Sequence, residues 1–480
     1  MAIHGVEQTV QKLILSRFPH NPTSGQRDAC ASMVRFLYDS DPRSLFLLKG
    51  YAGTGKTSLV SALIQTLPEL RVNTLLLAPT GRAAKVIAGY SGRPAYTIHK
   101  KIYMTATDAS GVVRTVRGIN KHSYTLFIVD EASMIGLEPT ASRHSLLEDL
   151  VEYVYSGNHC RLMLIGDTAQ LPPVGQSESP ALDEQFLSAS FALNLISCEL
   201  TDVVRQQQLS GILSNATALR SQIAMLQEGD DAQLPLFYVE NTSDVVRLQG
   251  EDLMETLYRE YGDFSLEQVV VVCRSNKRAN LFNQGIRGSV LFREEEVNAG
   301  DYLMVVKNNY YWLDEESDIG FIANGDIVEV LSVRNVQELY GFRFADATVR
   351  FVDYPDEEPR DCKLLLSTLY SDSPSLTQEE AERFFNAVME DYADLPHKAD
   401  RLRELRQNPY YNALQVKFAY ALTCHKTQGG QWRTVIVDQG YLGENPVDRG
   451  YLRWLYTAFT RATDRVYLLN FDSSFFVEKA

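Results

Sequence analysis

The stretch from Ser44 to Thr57 reads S-L-F-L-L-K-G-Y-A-G-T-G-K-T and decides the fold. Its first half is a short apolar run typical of a buried parallel strand, and a helical pattern follows its second half. Between such a strand and helix, glycines let backbone N–H groups converge on phosphate oxygens, while a lysine reaches the β- and γ-phosphates. The sequence therefore predicts a nucleotide-phosphate loop formed by Gly50, Ala52, Gly53, Thr54, Gly55, Lys56 and Thr57.

Two carboxylates follow another apolar run downstream, T-L-F-I-V-D-E from Thr125 to Glu131. Because they come directly after a predicted strand, we expect Asp130 to hold Mg²⁺ together with the Thr57 hydroxyl. Glu131 is then placed to polarise the attacking water, which favours hydrolysis over transfer to a small substrate. A third predicted strand ends shortly before Gln170, which places Gln170 to contact the γ-phosphate and to sense its loss. The predicted cofactors are ATP and Mg²⁺.

Apolar runs of this kind recur along the chain and alternate with helical stretches. A second series begins with Q-V-V-V-V-C-R-S-N and continues with L-Q-V-K-F-A-Y-A-L-T, T-V-I-V-D and D-R-V-Y-L-L-N. Buried parallel strands joined by helices have this pattern, so we predict an α/β fold with two domains.

Two interruptions of the α/β pattern predict insertions. Residues from Ile102 to Gly118 form two strand-like runs around Asp-Ala-Ser-Gly, which indicates a β-hairpin. Short strands from about residue 298 predict a small β-barrel-like module, and a helical stretch follows it. Thr377 and Glu380 are spaced for a capping box at the start of that stretch. The predicted domains are 1–180 with the hairpin at about 101–121, then 181–297 together with 407–480, and an inserted module at 298–406.

Composition limits the function classes. The formal charge of −15 argues against a protein that coats duplex DNA through a basic surface, although a narrow basic channel is compatible with it. The six cysteines are scattered singly, which predicts reduced thiols rather than a zinc site. We find no apolar run of about 18 residues and no secretory signal, so we expect a cytoplasmic protein with no membrane partner.

Several further motifs resemble those of the superfamily 1 helicases, specifically the RecD-like and Dda-like branch, and the resemblance covers nearly the whole chain. The segment Thr23-Ser24-Gly25-Gln26 is similar to the adenine-reading Q motif of that family. The other similar segments are 78–84 (motif Ia), 97–100 (motif Ib), 200–206, 422–429 (motif V) and 455–462 (motif VI). Val204 departs from the family pattern, because many members carry a tyrosine there to stack on adenine.

The resemblance implies two RecA-like P-loop NTPase domains that hydrolyse ATP between them, with an SH3-like barrel inserted in the second and movement from 5′ to 3′. It implies that Arg205 and Arg461 reach the γ-phosphate and that Gln26, Gln428 and Gly429 contact the nucleotide. The hairpin would act as a wedge, with Tyr103 and Met104 as its apolar face. The implied DNA contacts are Pro79, Thr80, Thr97, His99, Tyr103, Thr423, His425 and Lys426.

More than one function class stays open at this point. A helicase is one reading, and a P-loop switch whose ATP hydrolysis times an interaction is another. The switch hypothesis predicts that single-stranded nucleic acid does not change the rate of ATP hydrolysis. A motor that displaces proteins or moves on RNA also stays open, because contacts to a nucleic-acid backbone need not read the 2′-hydroxyl. The predicted partners are single-stranded DNA and junctions between single-stranded and duplex DNA. Replication or repair proteins are a further possible class of partner. We expect the protein to be a monomer.

Overall fold

The computed structural model describes residues 2–107, 113–139, 144–203, 210–226, 230, 232–239, 242–313, 321–442 and 447–477. Its helices are α1 Ala2–Ser16, α2 Ser24–Leu37, α3 Lys56–Thr66, α4 Gly81–Ser91, α5 Ile98–Ile102, α6 Leu146–Tyr155, α7 Glu184–Phe191, α8 Gly211–Met225, α9 Leu253–Asp263, α10 Asn276–Gly285, α11 Gln378–Glu390, α12 Lys398–Gln407, α13 Cys424–Thr427 and α14 Arg449–Phe459. Within these ranges we find no helix of the length and apolarity that a membrane span requires.

Eighteen strands accompany the helices in the described part of the chain. They are β1 Ser44–Gly50, β2 Asn73–Ala78, β3 Ala95–Thr97, β4 Tyr103–Thr107, β5 Val113–Arg117, β6 Thr125–Val129, β7 Arg161–Gly166, β8 Asn194–Leu200, β9 Val245–Leu248, β10 Val269–Cys273, β11 Tyr302–Val305, β12 Ile327–Leu339, β13 Phe342–Phe351, β14 Arg360–Leu365, β15 Leu414–Phe418, β16 Ala421–Thr423, β17 Trp432–Asp438 and β18 Ala462–Leu469.

The first sheet has the order β3-β2-β6-β7-β1-β8, and its neighbouring strands are parallel. Side chains along a strand of this sheet point alternately to its two faces and pack into separate apolar cores. For example, Phe46 and Leu48 lie in one core, and Leu45 and Leu47 lie in the other. A parallel sheet that is covered on both faces reads as continuous apolar runs, which is why the runs predicted these strands. The loops after β1, β6 and β7 leave the same edge of the sheet.

A second parallel sheet has the order β16-β10-β17-β18-β9, and β11 to β15 form a closed barrel. Strands β4 and β5 pair antiparallel, with Tyr103 opposite Arg117 and Thr107 opposite Val113. The turn predicted at 108–111 lies outside the described residues. Two parallel-sheet domains, a hairpin and a barrel confirm the predicted fold class. The capping box of Thr377 and Glu380 is present at the start of α11.

The domain ranges predicted from the sequence assign β8 and β15 to the second parallel-sheet domain, but both strands pair elsewhere. Strand β8 lies beyond residue 180, yet it pairs along its whole length with β1 of the first sheet. It is an edge strand whose first six residues are exposed or half-buried, so it lacks the continuous apolar run that marks the inner strands. The run L-Q-V-K-F-A-Y-A-L-T divides into β15, which pairs with β11 and β14 in the barrel, and β16, which pairs with β10.

Helix α4 offers a test of local backbone energetics. Gly89 is exposed in its interior, and a Cβ built there meets no atom within 4 Å. Glycine in a helix interior costs roughly 0.5–1 kcal/mol relative to alanine, so Gly89→Ala is expected to raise the thermal unfolding midpoint by about 1–4 °C. Gly92 caps the same helix, also with open space, but with a φ of 66°. Gly92→Ala should therefore lower the midpoint, and a loss of stability in both variants would contradict this account.

Candidate active site

The phosphate loop connects the end of β1 to the start of α3. Gly53 and Gly55 have φ values of 74° and 83°, a left-handed backbone that glycine adopts without steric cost. The N-cap of α3 makes no side-chain capping bond, so the first N–H groups of the helix stay available to an anion. The Lys56 ammonium donates to the carbonyl oxygens of Gly50 at 2.6 Å and Tyr51 at 2.9 Å. The loop thus presents a lysine and a helix N-terminus on one concave surface.

A cleft of about 480 Å³ lies over this loop between the two parallel-sheet domains. The first domain contributes side chains from the ends of three strands, and the second contributes Arg461 with its neighbours. Among the residues proposed from the sequence, the cleft brings together Ala52, Gly53, Gly55, Lys56, Thr57, Asp130, Glu131, Gln170 and Arg461. The predicted catalytic and metal-binding side chains of the described chain therefore share one cleft.

Asp130 and Glu131 follow β6, whose five residues are all buried. Oδ1 of Asp130 accepts the Glu131 backbone N–H at 2.8 Å, and Glu131 has a left-handed φ of 53°. Oδ2 of Asp130 accepts a hydrogen bond of 2.7 Å from the Tyr90 hydroxyl, which α4 supplies. Sequence reasoning missed Tyr90, because a single tyrosine in a helix carries no signal of a carboxylate partner.

The electrostatics of Glu131 suit proton transfer. Burial raises the pKa of the Glu131 carboxyl, Arg461 opposes that effect, and Asp130 adds to it. The Arg461 guanidinium lies 3.8 Å from the Glu131 carboxylate. A carboxylate whose proton affinity is raised is a better acceptor for a proton from water.

Gln170 and Asp167 lie beyond the end of β7. Oε1 of Gln170 is buried and has no hydrogen-bond partner among the described residues, although Gln170 lines the cleft. Asp167 accepts a 2.6 Å hydrogen bond from the Tyr456 hydroxyl. That hydroxyl also accepts the backbone N–H of Ala52 at 2.8 Å, so Tyr456 links the second domain to the phosphate loop. Tyr456 stands inside the string that resembles motif VI, but its spacing gave no hint of this bridge.

Arg461 follows α14 and is 4 % exposed. Its Nε donates to the Thr457 carbonyl at 3.2 Å and its Nη1 to the Gly430 carbonyl at 3.3 Å. These bonds hold the guanidinium beside Glu131 in the cleft. Arg205, the other predicted arginine, lies outside the described residues.

Three residues expected to contact the nucleotide make structural contacts instead of lining the cleft. Gln26 is buried, and its amide donates to the Thr54 carbonyl at 2.9 Å while accepting the Thr23 N–H. Gln428 donates to the Leu171 carbonyl across the domain interface at 2.7 Å. Gly429 comes so close to α4 that a Cβ would lie 2.8 Å from the Cβ of Ala83. Gln431, two residues after Gly429, lines the cleft.

Two residues of the first domain that are predicted to contact single-stranded DNA lie at the N-termini of helices. Thr80 and Thr97 are the N-caps of α4 and α5, and each hydroxyl accepts a backbone N–H at 3.2 Å. A capping hydroxyl still has its own proton to donate. Pro79 is half-buried just before Thr80.

His99 and Tyr103 belong to an aromatic cluster. The His99 ring lies 5.4 Å from that of Tyr103 and 6.2 Å from that of Phe321, which precedes the barrel strand β12. Burial lowers the pKa of His99 to about 4, so the imidazole is neutral at pH 7. The Tyr103 hydroxyl donates to buried Asp149 at 2.7 Å, whereas Met104 is 54 % exposed. On the hairpin, Met104 is thus the more accessible of the two residues expected to form an apolar face.

The remaining residues predicted to contact single-stranded DNA lie at or next to α13. Thr423 precedes this helix and His425 is exposed on it. The Lys426 ammonium is buried without a hydrogen-bond partner among the described residues. Burial, with a smaller effect of Lys417, lowers the pKa of Lys426 to about 8. A buried ammonium without a partner is costly, and an anion at this point would offset the cost.

Comparison with known proteins gives a consistent picture. The AAA domain family matches residues 22–235, and the UvrD-like helicase C-terminal domain family matches residues 418–469. The ATP-dependent RecD2 DNA helicase of Deinococcus radiodurans is 26% identical over 88% of this chain and 46% of its own length. The ATP-dependent DNA helicase dda of Enterobacteria phage T4 is 24% identical over 85% of this chain and 90% of its own.

Among solved structures, the Pif1 helicase from Bacteroides in complex with ADP-AlF3 and ssDNA is similar with a TM-score of 0.48 and 15% identity. The similarity covers 95% of this chain and 94% of that one. The two family matches fall on the two parallel-sheet domains that enclose the cleft, and the relatives align over most of the chain. The chain is thus similar to an AAA domain and to a UvrD-like helicase C-terminal domain, and over most of its length it is similar to the RecD2 and dda helicases.

Proposed function

We propose that this protein is an ATP-dependent DNA helicase that moves from 5′ to 3′ along single-stranded DNA and hydrolyses ATP between its two parallel-sheet domains. The observation that carries the proposal is the composition of the cleft. Lys56, Thr57 and Glu131 come from the first domain and Arg461 comes from the second. ATP hydrolysis can therefore depend on how closely the two domains approach each other.

The side chains of the cleft fit a nucleotide with Mg²⁺. Mg²⁺ is usually held by one or two carboxylates and substrate phosphates, not by an all-protein cage. In agreement with that preference, the described residues contain no group of three or more His, Cys, Asp or Glu side chains placed to hold a metal. Thr57 and Asp130 would hold the ion, and the Tyr90 hydrogen bond orients the Asp130 carboxylate. Mg²⁺ would neutralise negative charge on the phosphates when bound.

Each catalytic side chain has a separate part in hydrolysis. Glu131 takes the proton from the attacking water, and its raised pKa favours that transfer. The free Oε1 of Gln170 accepts a hydrogen bond from the same water. Lys56 and Arg461 stabilise the charge that develops on the transferred phosphoryl group, and Arg205 would add a second arginine.

Movement would follow from the contacts that join the domains. Tyr456 and Gln428 of the second domain bond to the first domain at Asp167, Ala52 and Leu171. Loss of the γ-phosphate weakens the attraction for Arg461 and lets the cleft open. Thr80 caps the start of α4 in the first domain, and Lys426 lies in α13 of the second domain. Donors of this kind grip phosphates and sugars without base preference, so alternate gripping moves the protein along a strand.

We expect a duplex with a 5′ single-stranded tail to be unwound and a duplex with only a 3′ tail to stay paired. The measurement is strand separation with ATP and Mg²⁺, preceded by ATPase assays with and without single-stranded DNA and RNA. ATPase activity that ignores single strands would favour a P-loop switch. Unwinding from the 3′ tail would contradict the polarity, and strand-stimulated ATPase without unwinding would indicate a translocase.

A further inference from the structure

Helix α4 connects the two sites of the proposed motor. Its N-cap is Thr80, a predicted strand contact, and its last turn carries Tyr90, which donates a 2.7 Å hydrogen bond to Asp130 in the cleft. The eleven residues of α4 span about 16 Å at 1.5 Å per residue. A continuous helix is stiff along its axis, so a shift at its first turn is carried to its last turn.

The end near the nucleotide is held by the phosphate-loop helix as well as by Asp130. The hydroxyl of Ser61, in α3, donates to the carbonyl oxygen of Tyr90 at 2.9 Å. Tyr90 also lines the cleft next to Asp130 and Glu131. The last turn of α4 thus contacts both the helix that begins at Lys56 and the carboxylate assigned to Mg²⁺.

The opposite end of α4 contacts the parts of the protein expected to move. The Arg82 guanidinium stacks on Trp432 of the second parallel sheet at 4.1 Å. The Lys85 ammonium donates to the carbonyl of Val352, after barrel strand β13, at 3.1 Å. A Cβ on Gly81 would lie 2.6 Å from Oδ1 of Asp326, so the barrel approaches this turn closely. The first turns of α4 must follow any displacement of the second domain or the barrel.

We propose that Tyr90 is a positioning residue that makes ATP hydrolysis respond to the bound strand. The proposal rests on the proposed function, since it needs a strand at the Thr80 end of α4. When a strand fixes that end, α4 holds the Tyr90 hydroxyl against Asp130 and keeps the carboxylate oriented for the nucleotide complex. In this proposal Tyr90 acts through its hydrogen bond to Asp130.

The test is Tyr90→Phe, which removes the hydroxyl and keeps the ring. Two quantities are measured for each protein: the ratio of kcat with and without single-stranded DNA, and the factor by which that DNA changes the affinity for a fluorescent non-hydrolysable ATP analogue with Mg²⁺. Coupling between sites is typically about 5- to 150-fold and is reciprocal. We expect both ratios to fall roughly 10-fold in Tyr90→Phe, while the affinity for single-stranded DNA without nucleotide stays the same.

Tyr155→Phe is the matched control. Its hydroxyl donates a 2.8 Å hydrogen bond to the Ser44 carbonyl in the same domain, and Tyr155 does not line the cleft. The control should keep both ratios at the wild-type value. Unchanged ratios in Tyr90→Phe would overturn the proposal, as would an equal loss of DNA-free and DNA-stimulated turnover, which indicates only local support of Asp130. A wild-type protein without strand-stimulated ATPase would instead overturn the proposed function, and this inference with it.

Discussion

Replacing Lys56 by alanine is expected to reduce ATP hydrolysis at least about 100-fold, the usual cost of losing one preorganised charge partner of a transition state. The lysine begins α3 and faces the cleft, where its ammonium donates to the carbonyls of Gly50 and Tyr51. Its removal leaves the apolar cores intact, so we expect the unfolding midpoint to change by no more than about 2 °C. Steady-state ATPase and thermal unfolding measure the two effects.

Lys49→Ala is the control for this variant. Lys49 lies seven positions earlier, at the end of β1, and pairs with Glu184 instead of facing the cleft. This variant removes an ammonium from the strand that precedes the phosphate loop, without removing a predicted phosphate contact, so turnover should stay close to wild type. Near-wild-type turnover by Lys56→Ala would contradict the assignment of the phosphate loop.

Replacing Glu131 by glutamine should leave ATP binding and single-strand binding intact and slow hydrolysis by about 10²- to 10⁴-fold, the range for a general base. The amide has nearly the same shape as the carboxylate, but it cannot accept the proton from the attacking water. Single-turnover hydrolysis measures the chemical step, and titration with a fluorescent ATP analogue measures binding.

Glu184→Gln serves as the control, because it removes a carboxylate charge of the same domain that pairs with Lys49 outside the cleft. A structural role for Glu131 would give a different result. Arg461 lies 3.8 Å from its carboxylate, and a role limited to that ion pair would weaken nucleotide binding and turnover by the same factor. An equal loss of both would therefore reject the general-base assignment.

The sequence alone predicted those parts of the molecule that depend on neighbours along the chain. Gly53 and Gly55 indicate a left-handed loop, apolar runs indicate inner parallel strands, and Thr377 with Glu380 indicates a helix start. Each of these features is fixed within a few residues, by backbone sterics, by burial on both faces of a sheet or by a local hydrogen bond. The same local logic identified the Lys56, Asp130 and Glu131 side chains of the cleft.

The tertiary structure decided what depends on residues far apart in the chain. The Tyr456 hydroxyl meets the Ala52 N–H across 404 positions, and the Tyr90 hydroxyl meets Asp130 across 40. The run from Leu414 to Thr423 reads as one strand but divides between the barrel and the second sheet, because its two halves find different partners. The local sequence pattern indicates whether a residue is buried, but it does not indicate which distant residue packs against it. The packing partners are determined only when the sheets, the barrel and the hairpin come together.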